Sequence, residues 1–490
     1  MKKLLGYMIY CYILLLPIAF VEPSPSDFLF IIIIILAFEQ RIFFNVRKFL
    51  NNKIVFRGIL GFLALNLISI LRAENIFASI KYSVITIYLM MVAVVIFLYE
   101  PKKVFNRPLG LRGEGHETND SKYMLIFNAY VVGSTVSAVL GIMGYIGIMP
   151  RWLTYDPYRT QGLFKDPNVF GPFLVPTIVI LIDDLKKKKV IRSKTYVHIL
   201  LLCINALGIL LSFSRSAWAC ALLAVAAYFF FNIKKENLLK VLYGGIGLAV
   251  LMGLVWIILP DGDFKSFIAE RANLQLYDSE RFSVQRVGLE QGFDKLIGYG
   301  PGQYEKVVEK VIGFEHSAHS LYVRTMLESG SLSLILFLIA IGNIIIRLYK
   351  AEKYSKRRLV VNYSVVFSIM ISFMVNSIVI DTIHWRHFWI FIGISLSMLW
   401  DAREKVKKVK KTSEVKVIAG ESLSRGLEDM RTRRVIRGKD NLVAIKSKEE
   451  RSINEREIEE SLRVLESVLK EELGELDELD DSYSLRGGLR

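Results

Sequence analysis

Apolar segments long enough to cross a membrane follow one another along most of this chain, with short polar turns between them. A helix needs about 20 apolar residues to cross the roughly 30 Å hydrocarbon core of a bilayer. Backbone polar groups in hydrocarbon must be satisfied within the segment itself, which favours helices over open strands. The pattern predicts an all-α polytopic membrane bundle of about 12 transmembrane helices, at residues 4–21, 28–44, 54–71, 80–99, 124–148, 169–185, 197–213, 216–231, 239–259, 321–346, 360–380 and 385–400.

One polar interval is much longer than the turns. It extends from Pro260 to Ser320, and it contains a helix-like run at 279–296, a glycine-rich sequence at 298–302 and two histidines near its end. Connecting segments carry binding and catalytic residues more often than the elements that they connect. We therefore expect this interval to form a large loop domain that carries the activity.

Lysine and arginine are distributed unequally between alternate turns. If the N-terminus is cytoplasmic, the inner turns carry most of the basic residues, and the short outer turns carry Arg72, Arg151, Arg159, Lys165 and Arg215. Cytoplasmic loops of membrane proteins are enriched in these two residue types. The bias predicts a multi-pass protein of the cytoplasmic (inner) membrane, with both termini cytoplasmic and the long loop external.

Residues 401–490 form a charged tail that differs from the membrane domain at 1–400. The tail begins with a basic stretch, which is typical of attraction to anionic lipid at the inner surface. Apolar residues then recur at steps of three and four over about 453–480, which predicts an amphipathic helix. We expect a cytoplasmic tail that serves self-association or binds a cytoplasmic partner.

Composition supports a membrane protein and narrows the kinds of site. Of the 490 residues 53% are hydrophobic, and the mean hydropathy is +0.38, which is too apolar for a typical soluble domain. The three cysteines lie in apolar segments and indicate neither a disulfide framework nor a zinc site. The net charge of +16 follows from membrane topology and the tail, so we expect no nucleic-acid partner.

Three basic residues in outer turns lie in sequences that could bind an anion. Arg159 and Lys165 precede the sixth predicted helix, whose start Asp166 or Asn168 can cap, and the exposed N–H groups of a helix start attract anions. The alternative is a capped helix start with basic residues at the membrane interface. Arg215 lies between serines in a tight turn, where a charge near lipid usually faces the bundle interior or a wet cavity. Its alternative is snorkelling to the head groups.

The long loop supplies further candidates. On a helix Arg281 and Gln285 share a face, whereas Arg286 points elsewhere, so we expect Arg281 to face a site and Arg286 to be solvated.

His316 and His319 close the loop, and a neutral imidazole can accept a hydroxyl proton near pH 7. Each histidine could equally be a surface residue. No carboxylate or cysteine cluster completes a metal site around them in the sequence, so we expect no metal.

Three arginines and a histidine on one membrane face suit the transfer of a group from a lipid diphosphate to a hydroxyl. The departing diphosphate gains negative charge as its bond breaks. Each guanidinium about 4 Å away offers on the order of 4 kcal/mol in a partly shielded site, and its fork matches phosphate oxygens. A general base typically contributes ~10²–10⁴-fold. On these magnitudes, stabilisation of the leaving group is the larger contribution.

Several short motifs occur in a fixed order. They are Arg159-Thr-Gln-Gly162 with Pro167-Asn168, then Ser212-Phe-Ser-Arg215, then Gly298-Tyr-Gly300-Pro-Gly302, then His319-Ser-Leu-Tyr322 with Glu328-Ser-Gly330. In this order, over about 155–340, the chain resembles the O-antigen ligase and O-antigen polymerase family of bacterial envelope enzymes. The resemblance implies a membrane glycosyltransferase that uses an undecaprenyl-diphosphate-linked saccharide, with no nucleotide sugar, required metal or other cofactor.

The resemblance also implies roles for residues at the matching positions. The residues that would hold the diphosphate are Arg159, Arg215 and Arg281, with Lys165 beside them. His319 would be the base, and Arg215 and Arg281 would act with it in catalysis. Apart from the resemblance, His316 and Arg286 are further candidates from the residues alone. The chain departs from the family at Ser320, where an asparagine is frequent, and at Gln285, where an aromatic residue is frequent. Both departures concern the acceptor side of the site.

Different functional classes make different demands on the sequence. A glycosyltransferase would pass the saccharide to another glycan (a polymerase) or to a lipid or other envelope molecule (a ligase), and no motif separates the two. A polysaccharide flippase or transporter would need charged residues at mid-membrane depth, whereas most predicted spans are uninterrupted apolar runs. A scaffold acting through the tail would leave the external arginines unexplained. The sequence therefore favours a metal-independent membrane glycosyltransferase.

Overall fold

The computed structural model divides the chain into two units, Met1–Lys408 and Val409–Arg490. The residues that the structure describes lie in the first unit and are 2–45, 48, 52–100, 118–156, 158–186, 192–232, 262, 265–266, 269–270, 276–354 and 362–403. The predicted span at 239–259 and the predicted tail helix at about 453–480 lie outside these residues.

Helices make up nearly all the regular structure of the described residues. They are α1 (Lys2–Leu15), α2 (Pro25–Glu39), α3 (Lys53–Ser69), α4 (Ile76–Leu98), α5 (Thr118–Tyr145), α6 (Pro167–Lys186), α7 (Arg192–Leu211), α8 (Arg215–Asn232), α9 (Leu276–Gly292), α10 (Tyr304–Ile312), α11 (Leu321–Ser329), α12 (Ser331–Tyr354), α13 (Tyr363–Asn376) and α14 (386–403). Two short strands, β1 (Thr154–Asp156) and β2 (Arg159–Thr160), pair in an antiparallel hairpin. The predicted helical class is confirmed, with this hairpin as a small addition.

Six helices of the described part are long and apolar enough to cross a membrane. They are Lys53–Arg72, Ile76–Leu98, Lys122–Tyr145, Pro167–Lys186, Arg215–Asn232 and Ser331–Lys353. Three shorter apolar helices accompany them, at Lys3–Leu15, Thr195–Leu211 and Tyr363–Asn376. The multi-pass helical architecture is confirmed, and the count of twelve spans stays a prediction.

The predicted single helix at 321–346 is wrong, because the chain breaks between α11 and α12. Gly330 separates them with a φ of 105°, a backbone conformation that residues with a side chain rarely adopt. A Cβ at this position would collide with the backbone carbonyl of Leu296. The break therefore places α11 outside the span that begins at Ser331.

An aromatic cluster occupies the centre of the bundle between its two ends. The ring of Tyr130 lies 4.9 Å from Phe173 and 5.5 Å from Phe391, and Phe373 lies 6.0 Å from Phe391. These four side chains come from α5, α6, α13 and α14, and all are buried. The large apolar core gives the loops at either end a rigid support.

The turns that follow α1, α3, α5, α7 and α13 meet the polar interval at one end of the bundle, which we call the site end. Hydrogen bonds that join separate turns there are Ala19 N to Leu163 O (2.9 Å), Asn75 N to Gln303 Oε1 (3.1 Å) and Leu321 N to Ser377 O (3.0 Å). Every sequence motif described above lies at this end or in the helices that begin there.

A second set of polar contacts closes the opposite end of the bundle. Lys48 pairs with Glu100 at 2.6 Å, Lys122 donates to Ser397 Oγ at 2.6 Å, and Tyr123 donates to Asp401 at 2.7 Å. Lys122 also donates to the carbonyl of Phe97 at 3.2 Å, so these contacts join α4, α5 and α14. The two ends therefore carry separate polar networks, with the apolar core between them.

Candidate functional site

The β-hairpin fixes the first predicted arginine. Arg159 opens β2 opposite Asp156, and its side chain is buried. Its Nε donates to the backbone carbonyl of Ser212 at 3.1 Å, and its Nη2 donates to Oδ1 of Asn168 at 3.2 Å. The guanidinium also lies 5.6 Å from the ring centre of Tyr155. Arg159 is thus held rigidly against the turn between α7 and α8, which carries the second motif.

That turn, Ser212–Arg215, shares an anchor with the first motif. Ser214 Oγ donates to Asn168 Oδ1 at 2.8 Å, so one amide oxygen accepts from both motifs. Phe213 has a φ of 44°, in the left-handed region that non-glycine residues seldom occupy. Such residues cluster at functional sites, where surrounding contacts hold them in place. The turn presents Arg215 at the first position of α8.

Arg215 connects this half of the site to α9. Its Nη2 lies 2.6 Å from both carboxylate oxygens of Asp278, and about a third of the arginine side chain stays exposed. Asp278 lies one helical turn before Arg281 on α9. The ion pair therefore brings Arg215 and Arg281 to neighbouring places at the site end.

Arg281 and Gln285 lie on the same face of α9, as the sequence predicted. The side-chain amide of Gln285 donates to the backbone carbonyls of Ala318 and His319, at 3.2 and 3.1 Å. Arg281 is close enough to His319 to act on its pKa. One face of α9 thus supplies a charge beside the predicted base and holds the backbone of the loop that carries it.

His319 is itself in a left-handed conformation, with a φ of 43°. Three contacts support this backbone: the amide of Gln285, the N-terminal cap that Ser320 gives to α11, and the bond from Leu321 N to Ser377 O at 3.0 Å. Burial, and then Arg281, His316 and Arg324, lower the pKa of His319 to about 4. The imidazole is therefore neutral, with a free lone pair, at pH values well above 4.

Arg324 is a buried residue of the site that sequence reasoning missed. It makes ion pairs with Glu305 (2.7 Å), Glu328 (2.9 Å) and Asp381 (2.7 Å). Its Nη2 also donates to Ser317 Oγ at 2.9 Å, within the loop that carries His319. This one guanidinium therefore joins α10, α11, the histidine loop and the turn between α13 and α14.

Asp381 is held as a carboxylate in this cluster. Burial alone would raise its pKa, but Arg324 and then His384 lower the pKa of Asp381 to about 2. A small cavity of about 20 Å³ lies beside the cluster, lined by Arg324, Glu328, Asn66 and His384 among others. This volume accommodates about one water molecule, so the cluster is a packed support with little free space.

The remaining predicted residues are Lys165 and Arg286, which lie at the exposed surface, and His316, which lies beside His319. Lys165 is half exposed and pairs at 3.4 Å with Glu22, which lies in the turn between α1 and α2. Arg286 is solvated and pairs with Glu290 at 2.8 Å, as its position on the helix predicted. His316 packs edge to face against His319, with ring centres 5.4 Å apart. Within the described residues, no three histidine, cysteine or acidic side chains form a group that could hold a metal ion.

The geometry thus joins Arg159, Arg215, Arg281 and His319 through a continuous series of contacts, and a comparison with known families falls on the same region. Residues 199–338 match the family model described as O-antigen ligase. Over these residues the chain is similar to the O-antigen ligase family. This confirms the family that the order of the motifs predicted. A search among curated proteins gave no match.

Most residues of the site lie inside the range that matches the O-antigen ligase family model, and two lie outside it. The matched range begins within α7, spans α8 to α11 and ends early in α12, and so includes Arg215, Arg281, His319 and Arg324. Arg159 and Asp381 lie outside it and reach the matched region through their contacts with Ser212 and Arg324. The matched O-antigen ligase region therefore supplies most of the site, and flanking segments complete it.

We expect Arg324→Met to destabilise this protein by about 3–5 kcal/mol. The variant leaves the buried carboxylate of Glu328, and that of Asp381, which is 17% exposed, without their cation. Thermal unfolding of the purified protein in detergent measures the effect. Arg286→Met is the matched control, because the exposed pair with Glu290 contributes little. Equal unfolding temperatures for the two variants would contradict a supporting role for Arg324.

Proposed function

We propose that the protein transfers a saccharide from an undecaprenyl-diphosphate-linked donor to a hydroxyl acceptor at the outer face of the cytoplasmic membrane. The observation that carries this proposal is the continuous series of contacts from Arg159 through Arg215 and Asp278 to α9 and His319. The O-antigen ligase family match supports the same class of reaction. The lysine and arginine asymmetry between turns supports the outer face.

The arginines would bind the donor diphosphate and stabilise it as a leaving group. Arg159 is buried and already oriented by Ser212 and Asn168, so little rotamer entropy is lost when it binds a phosphate oxygen. Arg215 and Arg281 are partly exposed and can turn toward a ligand. Since each guanidinium offers on the order of 4 kcal/mol at about 4 Å, we propose that these side chains supply the positive charge and that no metal ion is required.

His319 would accept the proton of the acceptor hydroxyl. The acceptor oxygen forms a bond to the anomeric carbon of the saccharide, and the bond from that carbon to the diphosphate oxygen breaks. The bonding electron pair leaves with undecaprenyl diphosphate, and the hydroxyl proton passes to His319. The positive charge of Arg281 lowers the pKa of His319, and a bound diphosphate opposes that effect, so donor binding makes His319 a stronger base.

The test is a transfer assay with the purified full-length protein. Chemically defined undecaprenyl-diphosphate saccharide is supplied with a second donor molecule, or with a lipid or core-glycan acceptor, in the presence of EDTA. We expect glycosylated acceptor and free undecaprenyl diphosphate in equal amounts, and the acceptor that is used separates a polymerase from a ligase. If no acceptor is used while the protein moves the donor across vesicle membranes, the transporter alternative replaces this proposal.

A further inference from the structure

Helix α9 is attached at both ends to residues where membrane-spanning helices begin or end. Near its start, Asp278 pairs with Arg215, the first residue of the span Arg215–Asn232. Just beyond its end, Ser331, the first residue of the span Ser331–Lys353, donates from N and Oγ to the carbonyl of Lys295, at 2.8 and 3.1 Å. Because both attachments are to residues where spans begin, they hold the helix across the end of the bundle.

A third attachment joins the turn after α9 to the end of another span. Arg72, the last residue of the span Lys53–Arg72, donates from Nη1 to the carbonyl of Ile297 at 2.7 Å. Leu71 and Phe77, on either side of that turn, are exposed apolar residues. The turn after α9 therefore adjoins apolar surface that belongs to the spans themselves.

An apolar stripe runs along α9 and into this turn. Its members are Phe282, Leu289, Phe293 and Leu296, with exposed fractions of 55%, 45%, 73% and 67%. Phe282 and Leu289 are seven positions apart on one side of α9. Phe293, whose N–H donates to Leu289 O at 2.9 Å, follows directly after the helix, and Leu296 lies in the turn beyond it. Large apolar side chains in such a continuous arrangement mark a contact surface.

The other two sides of α9 have different surroundings. Val284 and Gly288 pack against Tyr304 and Val323 of the site end, on the side that carries Arg281. A polar side that includes Ser283, Arg286 and Glu290 is exposed. The apolar stripe is narrow, because the exposed Arg286 lies one turn after Phe282, and a basic side chain beside exposed apolar residues suits a helix at a membrane interface.

We propose that α9 is an interfacial helix whose stripe, Phe282, Leu289, Phe293 and Leu296, is inserted among the lipid acyl chains of the leaflet at the site end. Lipid is the occupant that the attachments favour, because three span ends hold the stripe at the depth where acyl chains begin. The stripe also continues onto the exposed apolar surface at Leu71. This inference goes beyond the proposed function, and it holds whether or not the protein transfers a saccharide.

If the stripe contacts lipid, the bilayer helps to position the residues of the site. Asp278, Arg281 and Gln285 lie on the same helix as the stripe, so the depth of α9 sets the height of Arg281 beside His319. A lipid-linked donor occupies the same leaflet, with its diphosphate at the level of the head groups. The membrane would then align the helix and the donor along one plane.

Depth-dependent fluorescence of the full-length protein in phosphatidylcholine–phosphatidylglycerol nanodiscs tests the inference. A nitrobenzoxadiazole probe is attached at Phe293→Cys and, as the matched control on the polar side of the same helix, at Ser283→Cys. The background carries replacements of the native cysteines, which are Cys11→Ser, Cys203→Ser and Cys220→Ala. We expect the probe at 293 to emit further to the blue and to be quenched by lipids brominated on their acyl chains, while aqueous iodide quenches the probe at 283.

Two outcomes would overturn the inference. Equal quenching by iodide at both positions would show that the stripe faces water. Protection of position 293 from both quenchers would show that protein, such as a second copy of the chain, covers it. If Phe293→Cys is misfolded, as shown by an elution volume in size-exclusion chromatography that differs from that of the parent protein, the probe is attached at Leu289→Cys, which lies on the same stripe. Because fluorescence needs no turnover, failure here is distinguishable from failure of the transfer assay.

Discussion

Replacing His319 with alanine is expected to reduce saccharide transfer by about 10²–10⁴-fold, the usual contribution of a general base. The acceptor hydroxyl would then lose its proton to water instead of to a positioned imidazole. His319→Asn should be equally impaired although asparagine tolerates the left-handed backbone at this position, which separates lost chemistry from a distorted loop. Initial rates of transfer by purified protein, at saturating donor, measure the effect.

His316→Ala is the matched control, because its ring packs against His319 without the same backbone constraint. We expect it to keep most of the activity.

In the parent enzyme, kcat/KM should fall only as the pH approaches about 4, where free His319 becomes protonated. Arg281→Gln removes a cation that disfavours the imidazolium, so the pKa of His319 rises and the fall should move to higher pH. A wild-type rate for His319→Asn would rule His319 out as the base.

Arg215→Ala is expected to abolish detectable transfer, with a loss of about 10³-fold if the side chain contributes on the order of 4 kcal/mol to the leaving group. In cells, surface glycan should be missing while lipid-linked donor accumulates in the membrane. Immunoblots of surface glycan and extraction of the lipid-linked donor measure both consequences. Normal membrane insertion of the variant is a condition of the comparison.

Asp278→Asn distinguishes the charge of Arg215 from its ion pair. In that variant the guanidinium remains while the pair that joins α8 to α9 is weakened. We expect a smaller loss than for Arg215→Ala, because the cation can still reach the diphosphate. Equal losses would mean that the pair acts as a structural link and that Arg215 does not contact the donor.

The sequence was sufficient to predict the helical bundle and the grouping of Arg159, Arg215, Arg281 and His319 at one end. Charge sorting between turns identified the unusual arginines, and helical periodicity separated Arg281 from Arg286. These are local properties of the chain. The pairing of Arg215 with Asp278 joins residues 63 positions apart, so no local pattern could reveal it.

Arg324 was missed for a different reason. Hydropathy averages over a long window, and the apolar residues after Gly330 outweighed the charges of Arg324 and Glu328. The available signal was the cost of placing an arginine and a glutamate within lipid, which is a reason to doubt a span. The two departures from the family pattern also have local explanations, because Ser320 caps α11 and Gln285 holds the backbone of His319.

The interruption at Gly330 matters for mapping the topology of this protein by fusions. Helix α12 alone has 24 residues and is about 36 Å long, so it can cross the bilayer without help from α11. Residues 321–329 are therefore expected on the same side of the bilayer as His319. Because most of them are buried, an epitope or protease site that reports this side belongs in the exposed turn at 313–315. A reporter fused at 321, taken as the membrane border, would instead delete Arg324 and the loop's main support.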